Sequence, residues 1–283
     1  MTASVFDHPW MGALFAAPDI ARHWAGDVQL AHMLAFERAY TSALCQVGRI
    51  DEAARDNAIA AMDRFTPDHG LLARGTARDG LVVPALVREL RVLSEYPDAI
   101  HTGSTSQDVL DTACVLTLRH VAKALRADLK KIQTAFSDLD TRFGSNRIMG
   151  RTRMQAALPI AVSTRLATWA HPIDTHIARL EQLGPRVFRL QFGGAAGDNQ
   201  GLGTDAATMA QLIARDLDLD VPVVPWQSAR DGIVEYGNWL ALIAGHLGKI
   251  GQDAVSYTHL RAHETRSNLV CRLLLEKKKR QSE

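Results

Sequence analysis

Val109-Leu-Asp-Thr-Ala-Cys-Val-Leu-Thr-Leu-Arg-His-Val-Ala-Lys-Ala-Leu-Arg-Ala-Asp-Leu-Lys-Lys-Ile-Gln-Thr-Ala-Phe-Ser-Asp-Leu-Asp-Thr-Arg-Phe143 is a run of 35 residues without a glycine or a proline. Val115, Leu118, Ala122, Leu125, Leu129, Ile132, Phe136 and Leu139 fall at alternating steps of three and four along it. That spacing puts all eight on one stripe of a helix. At 1.5 Å per residue the helix is about 50 Å long, several times the usual three turns. A helix of this length needs other long helices beside it, so the run predicts an all-α, extended bundle and not a compact α/β domain.

Working outward, similar seams follow. A second helix is expected from Pro159, a favourable first-turn residue, with Leu166, Trp169, Ile173, Ile177 and Leu180 on its apolar face and a kink at Pro172. A short helix is expected over about Asp205–Leu217. A fourth is expected over Asp231–Ile250, where Ile233, Tyr236, Leu240, Ile243, Leu247 and Ile250 repeat the pattern. Upstream, helices are expected at about Val28–Val47 and Leu81–Leu93, broken by Thr66-Pro67-Asp68-His69-Gly70 and Glu95-Tyr96-Pro97-Asp98. The expected organisation is a helical domain over 1–100, then a partial long-helix bundle over 101–255.

The chain has 283 residues, 47% apolar, with a formal charge of +1 and a mean hydropathy of −0.08. These values describe a soluble globular protein and give no reason to expect nucleic acid or a membrane as partner. Cys45, Cys114 and Cys271 form neither a metal-ligand spacing nor a disulfide framework, as in a reducing cytoplasm. From Ser256 to Glu283 the character changes. Seven basic residues face three acids, so this segment carries +4 while the rest carries −3. It reads as a non-native tail, resembling translated sequencing-adapter read-through.

Immediately before the long helix stands His101-Thr-Gly-Ser-Thr-Ser-Gln-Asp108, rich in small hydroxyls. It has two readings. It can be an elaborate N-cap, or a helix N-terminus offering hydroxyls and backbone N–H groups to a carboxylate or phosphate. Two further segments accompany it: Gly150-Arg-Thr-Arg-Met-Gln-Ala-Ala-Leu-Pro159, and Gln191-Phe-Gly-Gly-Ala-Ala-Gly197 with Pro225-Trp-Gln-Ser-Ala-Arg-Asp231 downstream. The glycines at 193, 194 and 197 suit a tight turn between helices. No strand precedes them and no Lys-Ser/Thr follows, which argues against a phosphate loop.

In order and spacing these segments resemble the fumarase/aspartase superfamily of lyases. The Thr-Ser-Gln-Asp-Val-x-Asp-Thr form and the Pro-Trp…Arg-Asp element look most like its 3-carboxy-cis,cis-muconate cycloisomerase branch, over nearly all of 1–254. The resemblance implies a homotetramer whose sites gather motifs from three subunits. It implies lactonisation of a small polycarboxylate in protocatechuate breakdown, through an aci-carboxylate, with no metal or organic cofactor. Ser104, Thr105 and Ser106 would bind a substrate carboxylate, with Thr152 and Gln155 on the same ligand. His101 stands where adenylosuccinate lyases have a substrate-contacting histidine; it can also be a plain helix-end histidine. Arg153 replaces the histidine of Thr-His in fumarase and adenylosuccinate lyase. It would meet a third carboxylate, or be solvated. Arg230 is a further anion ligand or a partner of Asp231 or Glu235. Against this, the family's Gly-Ser-Ser-x-Met-Pro loop, whose serine is the base, has no counterpart here. The chain is therefore expected to show little or no turnover. Another superfamily lyase and a non-catalytic oligomerisation module remain as alternatives.

Overall fold

The computed structural model describes residues 4–15, 17–153 and 155–258. The expectation for the tail falls almost wholly outside them, as does Cys271. Ten α-helices and one hairpin occur among the described residues: α1 Gly12–Phe15, α2 Pro18–Ala21, α3 Gly26–Gln46, α4 Glu52–Arg64, α5 His69–Asp79, α6 Val83–Leu93, α7 Ser106–Phe143, β1 Arg147–Thr152, β2 Gln155–Ala161, α8 Val162–Val187, α9 Ala206–Leu217 and α10 Asp231–Thr258. None is long and apolar enough to cross a membrane.

The long helix is as the sequence predicts, and α7 runs for 38 residues. Its seam is buried at Val115, Leu118, Ala122 and Leu129 and opens towards Leu139. The short helices are set by local chemistry. Asp51 and Asp68 cap α4 and α5 by accepting from the amides of Ala54 (2.8 Å) and Leu71 (3.0 Å). Gly80, at φ 77°, ends α5 in the left-handed region. Neither helix was read from the sequence, because stretches such as Glu52-Ala-Ala-Arg-Asp-Asn-Ala-Ile-Ala-Ala carry no large apolar seam.

One expected boundary is wrong. Pro159 lies in β2, opposite Met149, and α8 begins three residues later. A two-stranded hairpin has only edge strands, so a proline without an N–H is tolerated. The pairing slips between Met149 and Arg151, and a Cβ at Gly150 would sit 2.7 Å from the Leu158 carbonyl oxygen. Val162 and Ser163 donate to the carbonyls of Asn146 and Gly144, which ties the start of α8 to the end of α7. The helix then continues through Pro172.

The chain forms two compact units, neither of them continuous: Met1–Leu125 with Leu183–Val234, and Arg126–Gln182 with Glu235 onward. The sequence break near residue 100 lies inside the first. There Phe36 and Tyr40 of α3, Leu86 and Leu90 of α6, Val109 and Val115 of α7, and Met209 and Ile213 of α9 share one buried core. In the second unit Ile173 of α8 and Tyr236 and Trp239 of α10 are buried, and the Trp239 indole donates to the His176 carbonyl at 2.9 Å.

Candidate functional site

The turn from Ile100 to Thr105 is held from three sides. Arg91 donates to the Ile100 carbonyl (2.9 Å) and to the Thr102 hydroxyl (3.0 Å). The Tyr40 hydroxyl donates to the Thr102 carbonyl at 2.7 Å. Burial first, then the carboxylates of Glu37 and Asp108, push the Tyr40 hydroxyl far above its ordinary value, so it stays a donor. His101 lies in the left-handed region at φ 64°, and its Nδ1 is 2.6 Å from Glu37 Oε1. Gly103, at φ 93°, comes so close to α3 that a Cβ would lie 3.1 Å from the Tyr40 hydroxyl.

Asp108 is the hub. It is fully buried in the first turn of α7. Its carboxylate accepts from the Thr105 amide (3.2 Å), the Ser104 hydroxyl (3.3 Å), the Gly193 amide (2.9 Å), the Gly194 amide (3.1 Å) and the Gln191 side-chain amide (3.2 Å). Burial raises its pKa, opposed by these donors. The contact to the Thr105 amide, three residues back, is half of a capping box. Part of the hydroxyl-rich motif thus caps the helix, and the amides of Gly193 and Gly194 hold the carboxylate of its last residue.

Gln191 completes the frame. Its oxygen accepts from the Trp226 amide at 2.8 Å, and its amide also donates to Gln227 at 3.2 Å. Its backbone exchanges hydrogen bonds with the buried Thr112 hydroxyl. Arg230 holds Asp111 with two bonds of 2.6 and 2.8 Å and lies over the Trp226 ring. Its partner is Asp111, not Asp231 or Glu235, and the pairing raises the guanidinium pKa. Beside this frame is a cavity of about 270 Å³ lined by Gly103, Ser104, Gly194, Ala195, Ala196, Asp198, Asn199, Gln200 and Gly201.

His101, Ser104, Thr105, Ser106 and Arg230 therefore belong to one unit. Thr152, Arg153 and Gln155 belong to the other, all exposed at the hairpin tip, where Thr152 pairs with Gln155 and Arg153 has φ 45°. Sequence reasoning missed Glu37, Asp108, Asp111 and Gln191 as site residues. The signal for two of them was present: Asp108 and Asp111 stand three apart and so share an inward face of α7. Among the described residues no group of three His, Cys, Asp or Glu side chains could hold a metal ion.

The chain spans about half to three-fifths of the length of the curated relatives it matches. It is 34% identical to 3-carboxy-cis,cis-muconate cycloisomerase of Pseudomonas putida, over 89% of this chain and 60% of that protein. It is 37% identical to the protein of that name in Bradyrhizobium diazoefficiens, over 79% and 51%. Among solved structures, a fumarate lyase from Mesorhizobium sp. BNC1 superposes with a TM-score of 0.83 at 32% identity, over 85% of this chain and 57% of that one. The 3-carboxy-cis,cis-muconate lactonizing enzyme of Pseudomonas putida superposes at 0.81 and 35%, over 87% and 57%. A family model described as Lyase matches residues 16–267. With most of its length matched in this way, the chain belongs to the lyase family, within the fumarase/aspartase superfamily.

Proposed function

We propose that this chain is part of a homotetrameric, cytoplasmic cycloisomerase that lactonises 3-carboxy-cis,cis-muconate to 4-carboxymuconolactone in protocatechuate breakdown. The observation that carries this reading is the pre-shaped turn from Gly103 to Ser106. It is fixed by Tyr40, Arg91 and Asp108, opens on a 270 Å³ cavity at Gly103 and Ser104, and leads into the N-terminus of a 38-residue helix. The names of the two curated relatives support the choice of substrate.

The reaction is an isomerisation, so atoms balance within one molecule. An oxygen of one carboxylate bonds to the far carbon of a conjugated double bond. The displaced electron pair moves through the near carbon onto another carboxylate, giving an aci-carboxylate. The near carbon then takes a proton. Charge thus accumulates on one carboxylate before protonation, and fixed hydroxyl and N–H donors at a helix N-terminus stabilise it without reorganising. From the Ser104-Thr105-Ser106 motif the hydroxyls of Thr105 and Ser106 supply those donors, while the Ser104 hydroxyl and the Thr105 amide are shared with Asp108. In the tetramer, where a site gathers motifs from several copies of the chain, Thr152, Arg153 and Gln155 of another copy hold the other carboxylates, with the guanidinium matched to a carboxylate fork.

The test is calorimetric binding of 3-carboxy-cis,cis-muconate to the purified chain, from which little or no turnover is expected. Ser106→Ala and Gln155→Ala each reduce affinity at least tenfold if the reading is right. Unchanged values in both variants refute it.

A further inference from the structure

Glu37 is a costly side chain to bury. It sits on α3 with 0% exposure, and among the described residues its one partner is His101, at 2.6 Å through Oε1. Its second oxygen, Oε2, has no partner. A buried carboxylate answered by a single group is expensive and is replaced by an apolar residue in a purely structural core. The group that answers it is strained as well, because His101 is a non-glycine residue at φ 64°. A buried carboxyl group and backbone strain converge on one contact, two residues before Gly103, which lines the cavity. The ring of His101 is 14% exposed. With Nδ1 committed to Glu37, Nε2 is the nitrogen left for a ligand.

We propose that Glu37 is a positioning residue whose buried charge holds His101 as an imidazolium, so that Nε2–H points to a carboxylate of a polycarboxylate ligand. The inference rests on the carboxylate-binding reading above and adds the residue that sets the charge of its histidine. Nδ1–H donates to Glu37, Nε2–H donates to the ligand, and the ring bridges two anions. A neutral ring in the same place would turn a lone pair towards the ligand and repel it.

Glu37→Gln separates this role from that of a simple strap. Glutamine keeps the acceptor oxygen and the volume, so a strap survives it, whereas the charge is lost. The 15N spectrum of His101 at pH 7 reads the ring directly. Two protonated nitrogens are expected in the native chain and one in E37Q. Tricarballylate, a plain tricarboxylate, serves as the binding probe. Its affinity is expected to fall about tenfold in E37Q and equally in His101→Gln, with no further loss in the double variant. A native chain with only one protonated nitrogen overturns the proposal, and that spectrum needs no variant to fold. Full tricarballylate affinity in a folded E37Q also overturns it. A native chain that binds no tricarballylate sinks the carboxylate-site reading instead, while the 15N spectrum still decides the pairing.

Discussion

Asp108 and Arg230 look alike on paper, as charged residues beside a motif, yet they fail in different ways when changed. Asp108→Asn replaces one acceptor oxygen by an NH2 that faces donors, from Gly193 and Gln191 at the Oδ1 position or from Gly194 and Thr105 at the Oδ2 position. The expected loss is about 1–3 kcal/mol, read as a lower urea midpoint with an unchanged slope. Arg230→Ala strands Asp111, which is 5% exposed. Breaking a fully buried pair costs about 3–5 kcal/mol. Arg230 is 43% exposed, so solvent already screens the pair and about 2 kcal/mol is expected in the same assay. The hydroxyl motif was legible in sequence because its members are neighbours. Asp108's donors were not, because Gly193 stands 85 positions away. Glu37 was hidden for another reason: one acid in a helix is normally read as solvent-facing, and only tertiary packing shows it buried.

Between elements, spacing in the sequence fixes a face but not a distance of approach. Helix α5 meets α6 at Gly75, where an added Cβ would fall 2.4 Å from the Ala85 Cβ. Gly75→Ala gains about 1 kcal/mol of helix propensity. It also forces the two backbones apart, at a cost of about 1–3 kcal/mol, towards the upper end for so short a contact. The expected result is a net loss of stability, visible as a lower thermal midpoint. The long seams of α7 and α10 could be read because period and length agree over many turns. The hairpin could not be, since Leu158-Pro-Ile-Ala-Val serves equally as a helix start or a short strand. The hydrogen bonds from Val162 and Ser163 back to the end of α7 decide it.

Across the whole molecule, pH acts through buried and half-buried groups of opposite sense. His32, His176 and His246 all have depressed pKa values, with burial the first cause. His176 is also lowered by His246, whose ring centroid is 5.5 Å away. For a histidine lowered from 6.5, the unfolded chain binds more protons in the window below that value. Its contribution is complete above pH 6.5 and is lost as pH falls through the folded value. Asp108 runs the other way. Its pKa is raised above 3.8, so the native state binds more protons, and stability from this group falls as pH rises from 3.8 through the folded value. Unfolding free energy is therefore expected to drop between pH 7 and 5. His176→Gln with His246→Gln should make that limb shallower, the part due to His32 remaining, while Asp108→Asn leaves it in place. Denaturant titrations at half-unit steps check both.

The discontinuity of the first unit has a consequence in time. Asp108 leaves the ribosome well before the glycine amides that will hold it. Synthesis at about 5–20 residues per second puts the interval at about 4–17 s, over the 85 positions that separate it from Gly193. During that wait the carboxylate is hydrated and the start of α7 has a charged, water-loving tip. When residues 190–194 arrive, the carboxylate exchanges water for two backbone amides and a glutamine. The charge that is a burden in the finished core therefore stays in water until both halves of the unit exist.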